Sequence, residues 1–81
     1  MNRPVPKVAI IGSGNVGSNA ALFLALCRPA ELALIDIVEG LAEGRALDIS
    51  QGLTILGRET AVSGSSDFRL LQGADIVVVT A

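Results

Sequence analysis

The stretch that decides the fold reads Val8-Ala9-Ile10-Ile11-Gly12-Ser13-Gly14-Asn15-Val16-Gly17, four apolar residues that run into a Gly-x-Gly-x-x-Gly turn. The apolar run predicts a central strand, buried on both faces, and the residues after the turn predict a helix. A second apolar run, 32–35, ends at Asp36, which lies nineteen residues after the last glycine. This order of strand, glycine turn, helix, strand and acid is typical of a βαβ unit that binds a dinucleotide.

Each residue of the turn has its own expected role. Gly12 permits a tight turn, Gly14 lets a pyrophosphate approach the backbone, and Gly17 lets the helix pack closely on the strand. The amide groups near residues 15–16 are expected to point at the phosphates, where the positive end of the helix dipole favours an anion. Ser13 is expected to contribute its hydroxyl or only its backbone.

Asp36 is the expected ribose ligand, because a carboxylate at the end of the second strand can accept hydrogen bonds from both ribose hydroxyls of an adenosine. The same carboxylate would repel a 2′-phosphate, and the next cationic residue along the chain is Arg45. NAD is therefore favoured over NADP. Two other interpretations stay open: a site for FAD or S-adenosylmethionine, and a glycine-rich turn that binds no nucleotide, with Asp36 merely solvated.

Hydrophobic periodicity predicts two α-helices and four strands, which right-handed crossovers place in the order 3-2-1-4. The helices are expected at about 15–27 and 39–51, and the strands at 8–11, 32–35, 60–62 and 74–80. A turn is expected at Gly64–Ser66, and Asp67 is expected to cap a short helical turn through Leu71. The predicted apolar faces are Val16, Ala20, Phe23, Leu24 and Cys27 on the first helix, and Ala42, Ala46, Ile49 and Leu53 on the second.

Composition excludes several classes of function. The 81 residues suit one small domain, and their net charge of −2 comes from scattered residues with no basic stripe, which argues against nucleic acid as a partner. The chain has no histidine and a single cysteine, Cys27, so neither a metal-ligand cluster nor an internal disulfide is expected. A reducing, cytoplasmic setting fits, and Cys27 is expected to be buried. No apolar run is long enough for a signal peptide or a membrane span.

The fourth predicted strand has an unusual position for its composition. Its centre, Ile76–Val79, consists of four consecutive β-branched residues, which suit the middle of a sheet, whereas the order 3-2-1-4 places it at an edge. An uncovered edge of this kind is a template for association. We therefore expect either a homo-oligomer that forms through this edge or a longer protein whose remainder covers it.

Four segments together resemble the N-terminal quarter of the malate/lactate dehydrogenase family. They are Val8–Gly17, Leu34–Gly40, Gly44–Asp48 and Ala74–Ala81, so that the resemblance covers nearly the whole chain from Lys7 onward. The sequence Asp36-Ile37-Val38-Glu39-Gly40 favours the malate dehydrogenases of lactate-dehydrogenase-like type.

The resemblance implies NAD contacts at Gly12–Gly17, at Asp36 and Ile37, and at Thr80 and Ala81. It also implies that the substrate-binding arginines and the catalytic histidine of the family follow the last motif seen here. Since this chain has no histidine, no catalytic residue is assigned and we expect the chain to be inactive alone. General acid–base help of the kind a histidine gives is worth about 10²–10⁴ in rate.

The sequence thus predicts an α/β chain that is half of a Rossmann doubly wound fold, with a mainly parallel four-stranded sheet in the order 3-2-1-4 and helices on its faces. Residues 1–81 are expected to form one partial NAD-binding domain with no second domain. The predicted function is to bind the ADP moiety of NAD in a malate dehydrogenase-like oxidoreductase, with NAD or an ADP-ribose-like nucleotide as partner. The alternatives are a non-catalytic, self-associating half-domain, engineered or excised, and a segment of a lactate dehydrogenase.

Overall fold

The computed structural model describes residues 5–58 and 60–80, which form a four-stranded sheet with two α-helices. All strand pairings are parallel, and the order β3-β2-β1-β4 confirms the predicted topology. A 3₁₀ turn, Phe68–Leu71, precedes the last strand, and Asp67 caps it as expected by accepting a hydrogen bond from the Arg69 amide. The elements are β1 Lys7–Ile11, α1 Asn15–Cys27, β2 Glu31–Ile35, α2 Leu41–Ile55, β3 Val62–Ser65 and β4 Ile76–Val79.

The core lies between the two helices and the middle of the sheet. Alternate residues of β1 and β2 point to one face, since side chains along a strand alternate between faces. Those on the helix side join a single cluster with both helices, and α2 contributes the apolar row that its sequence predicts. This cluster includes Val8, Ile10, Leu32 and Leu34 from the strands and Ala42, Ala46, Ile49 and Leu53 from α2.

The buried row of α1 differs from the prediction. Gly17, Ala21 and Ala25 face the core, whereas the side chains of Val16 and Phe23 are 67% and 68% exposed. The predicted burial of Cys27 is also wrong, because this residue is exposed. Ala20 and Leu24, from the predicted face, are partly buried against the cluster.

The rotation of α1 follows from its first turn. A Cβ atom on Gly17 would overlap the carbonyl group of Gly12, so the helix approaches the end of β1 backbone to backbone. This contact places the row of small residues against the sheet and turns the larger apolar residues outward. Close packing therefore overrides the hydrophobic periodicity on which the prediction depended.

The third strand also lies later in the chain than predicted. Gly64 and Ser65 were expected in a turn, yet they pair with Leu34 and Ile35 of β2. Gly64 serves close packing rather than a turn, because a Cβ there would overlap the Ala42 carbonyl of α2, so that only glycine lets this helix lie so close to β3. The helix itself begins two residues later and ends four residues later than the predicted range 39–51.

The fourth strand occupies the edge of the sheet in the described part of the chain. It pairs with β1 alone, with Val8 opposite Ile76 and Ile10 opposite Val78. Its side chains are largely exposed, and Val79 reaches 73%. Neither described α-helix has the length and apolar character that a bilayer crossing requires.

Replacing Gly64 with alanine tests the close approach of α2 to β3. We expect Gly64→Ala to lower the free energy of unfolding by about 1–3 kcal/mol, because a methyl group has no room beside the Ala42 backbone. Gly44→Ala is the matched control, since a Cβ at this position within α2 would meet no atom within 4 Å. Alanine is the better helix former, so this control should raise stability by about 0.4–1 kcal/mol. Urea unfolding followed by circular dichroism measures both, and equal effects would contradict the packing argument.

Candidate functional site

The glycine turn joins the carboxyl end of β1 to the start of α1. Gly12 has a φ of +98°, a conformation that suits glycine, and its amide donates a hydrogen bond to the Ile35 carbonyl of β2 at 2.7 Å. The roles predicted for Gly12 in the tight turn and for Gly17 in close helix packing are both confirmed. The turn is therefore anchored to the adjacent strand before the helix begins.

The first turn of α1 is open to a ligand. Gly14 is the N-cap residue and provides no side-chain cap, and the first amides of an α-helix lack acceptors within the helix. Asn15 and Val16 are exposed, and a Cβ on Gly14 would meet no protein atom within 4 Å. Unpaired amide groups together with the positive end of the dipole make this turn suitable for an anion such as a phosphate.

Asp36 faces this turn from the end of β2. Its Oδ2 accepts a hydrogen bond from the Ser13 amide at 2.8 Å, and its Oδ1 accepts one from the Val38 amide at 2.9 Å. The bond from Ser13, followed by that from Val38, lowers the pKa of the Asp36 carboxyl below its ordinary 3.8, against a smaller opposing effect of desolvation. The carboxylate is thus held in one orientation and stays ionised at neutral pH.

A shallow crevice of about 370 Å³ at the carboxyl end of the sheet brings together four of the predicted residues, whereas residues 13–17 do not line it. Gly12 and Asp36 border it, Ile37 and Val38 extend from the end of β2, and Thr80 closes the side next to β4. Ligands of open α/β sheets bind at this end of the strands. A cavity of about 270 Å³ at the opposite end, beside Val5 and Pro29, lies far from the glycine turn.

Ser13 contributes its backbone rather than an accessible hydroxyl. The residue is fully buried, and its Oγ has no hydrogen-bond partner among residues 5–58 and 60–80. Its amide donates to Asp36, and its carbonyl accepts a hydrogen bond from the Ser18 hydroxyl at 3.0 Å. The Ser18 contact was not predicted, although a serine one turn into a helix can be recognised as a candidate for a hydrogen bond back to the preceding turn.

Thr80 was predicted only as a cofactor contact, and the structure gives it a further role in the glycine turn. Its amide donates to the Ile11 carbonyl at 2.9 Å, and its Oγ1 lies 3.1 Å from the Ile11 carbonyl oxygen and 3.2 Å from that of Gly12. The side chain therefore contacts the backbone of the glycine turn. Its neighbour Ala81, also predicted as a cofactor contact, lies outside the described residues.

The other charged residues that have hydrogen-bond partners stabilise strand and turn ends rather than the crevice. Asp75 accepts a hydrogen bond from the Lys7 amide at 2.8 Å and so aligns the starts of β4 and β1. The Asp67 cap also pairs with the Arg69 guanidinium at 2.6 Å, the single ion pair within the described ranges. The described part of the chain contains no group of three His, Cys, Asp or Glu side chains that could hold a metal ion.

Comparison with known proteins supports the family resemblance that the sequence predicts. The family model described as "lactate/malate dehydrogenase, NAD binding domain" matches residues 6–81. A malate dehydrogenase of Dehalococcoides mccartyi is 44% identical over 77 residues, which cover 95% of this chain and 25% of that protein.

Solved structures agree in fold. The malate dehydrogenase of Cryptosporidium parvum superposes with a TM-score of 0.92 at 33% identity, over 96% of this chain and 25% of that one. The lactate dehydrogenase of the same organism, complexed with lactic acid and nicotinamide adenine dinucleotide, gives 0.91 at 36% identity, over 99% and 25%. The present chain thus spans about a quarter of the length of these relatives. It belongs to the lactate/malate dehydrogenase family and corresponds to the NAD binding domain of that family.

Proposed function

We propose that the turn over residues 12–17 and Asp36 bind the ADP half of NAD. One observation carries the proposal: the Ser13 amide fixes the Asp36 carboxylate beside the glycine turn, where Asp36 borders the same crevice as Gly12, two residues before the N-cap of α1. In this proposal the acid would hold the sugar, and the unpaired amides of the first helical turn would hold the phosphates. A diphosphate suits those amides because they are backbone donors at the positive end of a helix.

The free hydrogen-bonding capacity of Asp36 fits a ribose. A carboxylate has about four acceptor positions, and the Ser13 and Val38 amides use one on each oxygen. One position on each oxygen therefore stays available for the two hydroxyls. Ile37, which is 81% exposed, offers an apolar surface for the adenine ring. The negative charge of Asp36 would oppose a 2′-phosphate, so we propose NAD rather than NADP.

We further propose that this domain serves a malate dehydrogenase-like oxidoreductase that interconverts malate and oxaloacetate. Malate dehydrogenases at 43–44% identity support malate, while lactate dehydrogenases among the solved structures keep lactate as the alternative. Because the chain has no histidine, we propose that residues 1–81 bind cofactor as one partial domain without catalysing hydride transfer alone. Malate and NAD mixed with the purified chain should then form no NADH above background.

The setting we propose is cytoplasmic, because the only cysteine, Cys27, can form no internal disulfide.

The exposed residues Ile76, Val77 and Val79 at the sheet edge favour a second proposal, that the isolated chain self-associates through β4. Light scattering should give a dimer or larger species for the wild type and a smaller mass for Val77→Lys. A wild-type chain that stays monomeric at millimolar concentration would exclude this association.

Substitution of the acid tests the nucleotide site. Asp36→Ala should weaken NAD binding about tenfold or more, since it removes charged acceptors for the ribose hydroxyls, and it should reduce the preference for NAD over NADP. Asp48→Ala is the matched control, because Asp48 is exposed on α2 and outside the crevice. Calorimetry measures both affinities. Unchanged NAD binding by Asp36→Ala would refute the ribose assignment, and tighter binding of FAD or S-adenosylmethionine than of NAD would favour a different cofactor.

The lowered pKa of Asp36 predicts how binding depends on pH. A carboxyl whose folded-state pKa lies below 3.8 contributes stability above that value and loses the contribution only as pH falls through the lower, folded pKa. The ribose acceptor therefore stays ionised between about pH 5 and 8, and the NAD affinity should vary less than about twofold across that range. Calorimetric titrations at four pH values check this. A steady loss of affinity from about pH 6.5 to 5 would show that the carboxyl titrates there instead.

A further inference from the structure

Thr80 and Asp36 hold the same peptide unit from opposite sides. The Gly12 carbonyl and the Ser13 amide belong to one peptide group, which is planar and nearly rigid. Its oxygen lies 3.2 Å from the Thr80 Oγ1, and its N–H donates to the Asp36 Oδ2 at 2.8 Å. Fixing both ends of a rigid plane fixes its rotation about the chain.

The fit around the Thr80 hydroxyl is close. A Cβ on Gly12 would overlap the Thr80 Oγ1, and a Cβ on Gly17 would lie 3.3 Å from it. The hydroxyl therefore fills space that two glycines leave empty. Its single proton is shared between the carbonyls of Gly12 and Ile11, whose oxygens lie 3.2 Å and 3.1 Å from the Oγ1.

The orientation of this peptide plane decides where the following residues point. Gly14, the N-cap residue, and the first amides of α1 come directly after it, and the space beside Gly14 is open. A rotation of the plane would move them together and misalign several weak donors at once. The Asp36 carboxylate is itself secured by the Val38 amide, so it forms a fixed support for the N–H end.

We propose that the Thr80 hydroxyl is a positioning group for diphosphate binding, which together with Asp36 clamps the Gly12–Ser13 peptide plane so that the amides of the turn meet the phosphates. The inference rests on the proposed nucleotide site and assigns the Thr80 side chain a role through the turn rather than through contact with the cofactor. Such a group should affect ligands that carry phosphates and have little effect on those that do not.

The experiment compares ADP with adenosine, each titrated into the isotopically labelled chain and followed by amide chemical shifts. Thr80→Val keeps the size of the side chain and removes the hydroxyl, and it should weaken ADP about five- to tenfold while adenosine changes less than about twofold. Thr80→Ser restores the hydroxyl and should recover most of the ADP affinity. Thr54→Val is the matched control, because it removes an exposed hydroxyl that donates to the Ser50 carbonyl within α2, and it should leave the affinity for both ligands unchanged.

The outcomes separate this inference from the proposed function. Equal ADP affinity for Thr80→Val and the wild type would overturn the clamp while leaving the nucleotide site intact. Equal weakening of ADP and adenosine would also overturn it, since the residue would then act on the fold as a whole. If the wild type binds neither ligand, the nucleotide site itself is refuted, and the clamp with it. Thr80→Ala, which also lacks the hydroxyl, takes the place of the valine variant if that variant does not fold.

Discussion

The contact between Gly17 and the Gly12 carbonyl is the constraint on which the site depends. Because no side chain separates them, the first turn of α1 lies directly on the end of β1. That approach fixes the rotation of the helix, puts Gly17, Ala21 and Ala25 against the sheet, and leaves the N-terminus open beside the crevice. A single packing requirement thus determines both which residues enter the core and where the unpaired amides lie. The cost is a helix that exposes large apolar side chains.

The charges around the turn are arranged so that an acid and an anion-binding helix end can lie close together. Asp36 directs its carboxylate to the amides of Ser13 and Val38, and not to the first-turn amides of α1. The unpaired donors are therefore left to a ligand, while the negative charge is balanced by other backbone groups. This division is what allows the proposed site to hold a sugar at the acid and phosphates at the helix end, with no cationic side chain among the residues that line the crevice.

The sequence was most informative where chemistry and spacing act locally. The glycine turn, the acid after β2, the buried row of α2 and the strand order all follow from patterns along the chain. The face of α1 could not be predicted, because periodicity places large apolar residues such as Phe23 inward, whereas backbone packing at Gly17 admits only small ones. The bounds of β3 were predicted too early in the chain, because Ser63, Gly64 and Ser65 have little apolar character. The position of the strand is set instead by its pairing with β2. The Thr80 contacts become visible only once β4 is known to lie beside β1.

In the described part of the chain, the edge position of β4 has a dynamic consequence for the turn. Because β1 and β2 are paired on both sides, we expect their amide hydrogens to exchange more slowly than those of an edge strand such as β4, which opens more readily. Since Thr80 follows β4 directly, each such opening withdraws its hydrogen bonds from the Gly12 and Ile11 carbonyls. The opening of β4 and the order of the glycine turn are therefore thermodynamically linked. By reciprocity, we expect any molecule that binds only the ordered turn to slow amide hydrogen exchange in β4.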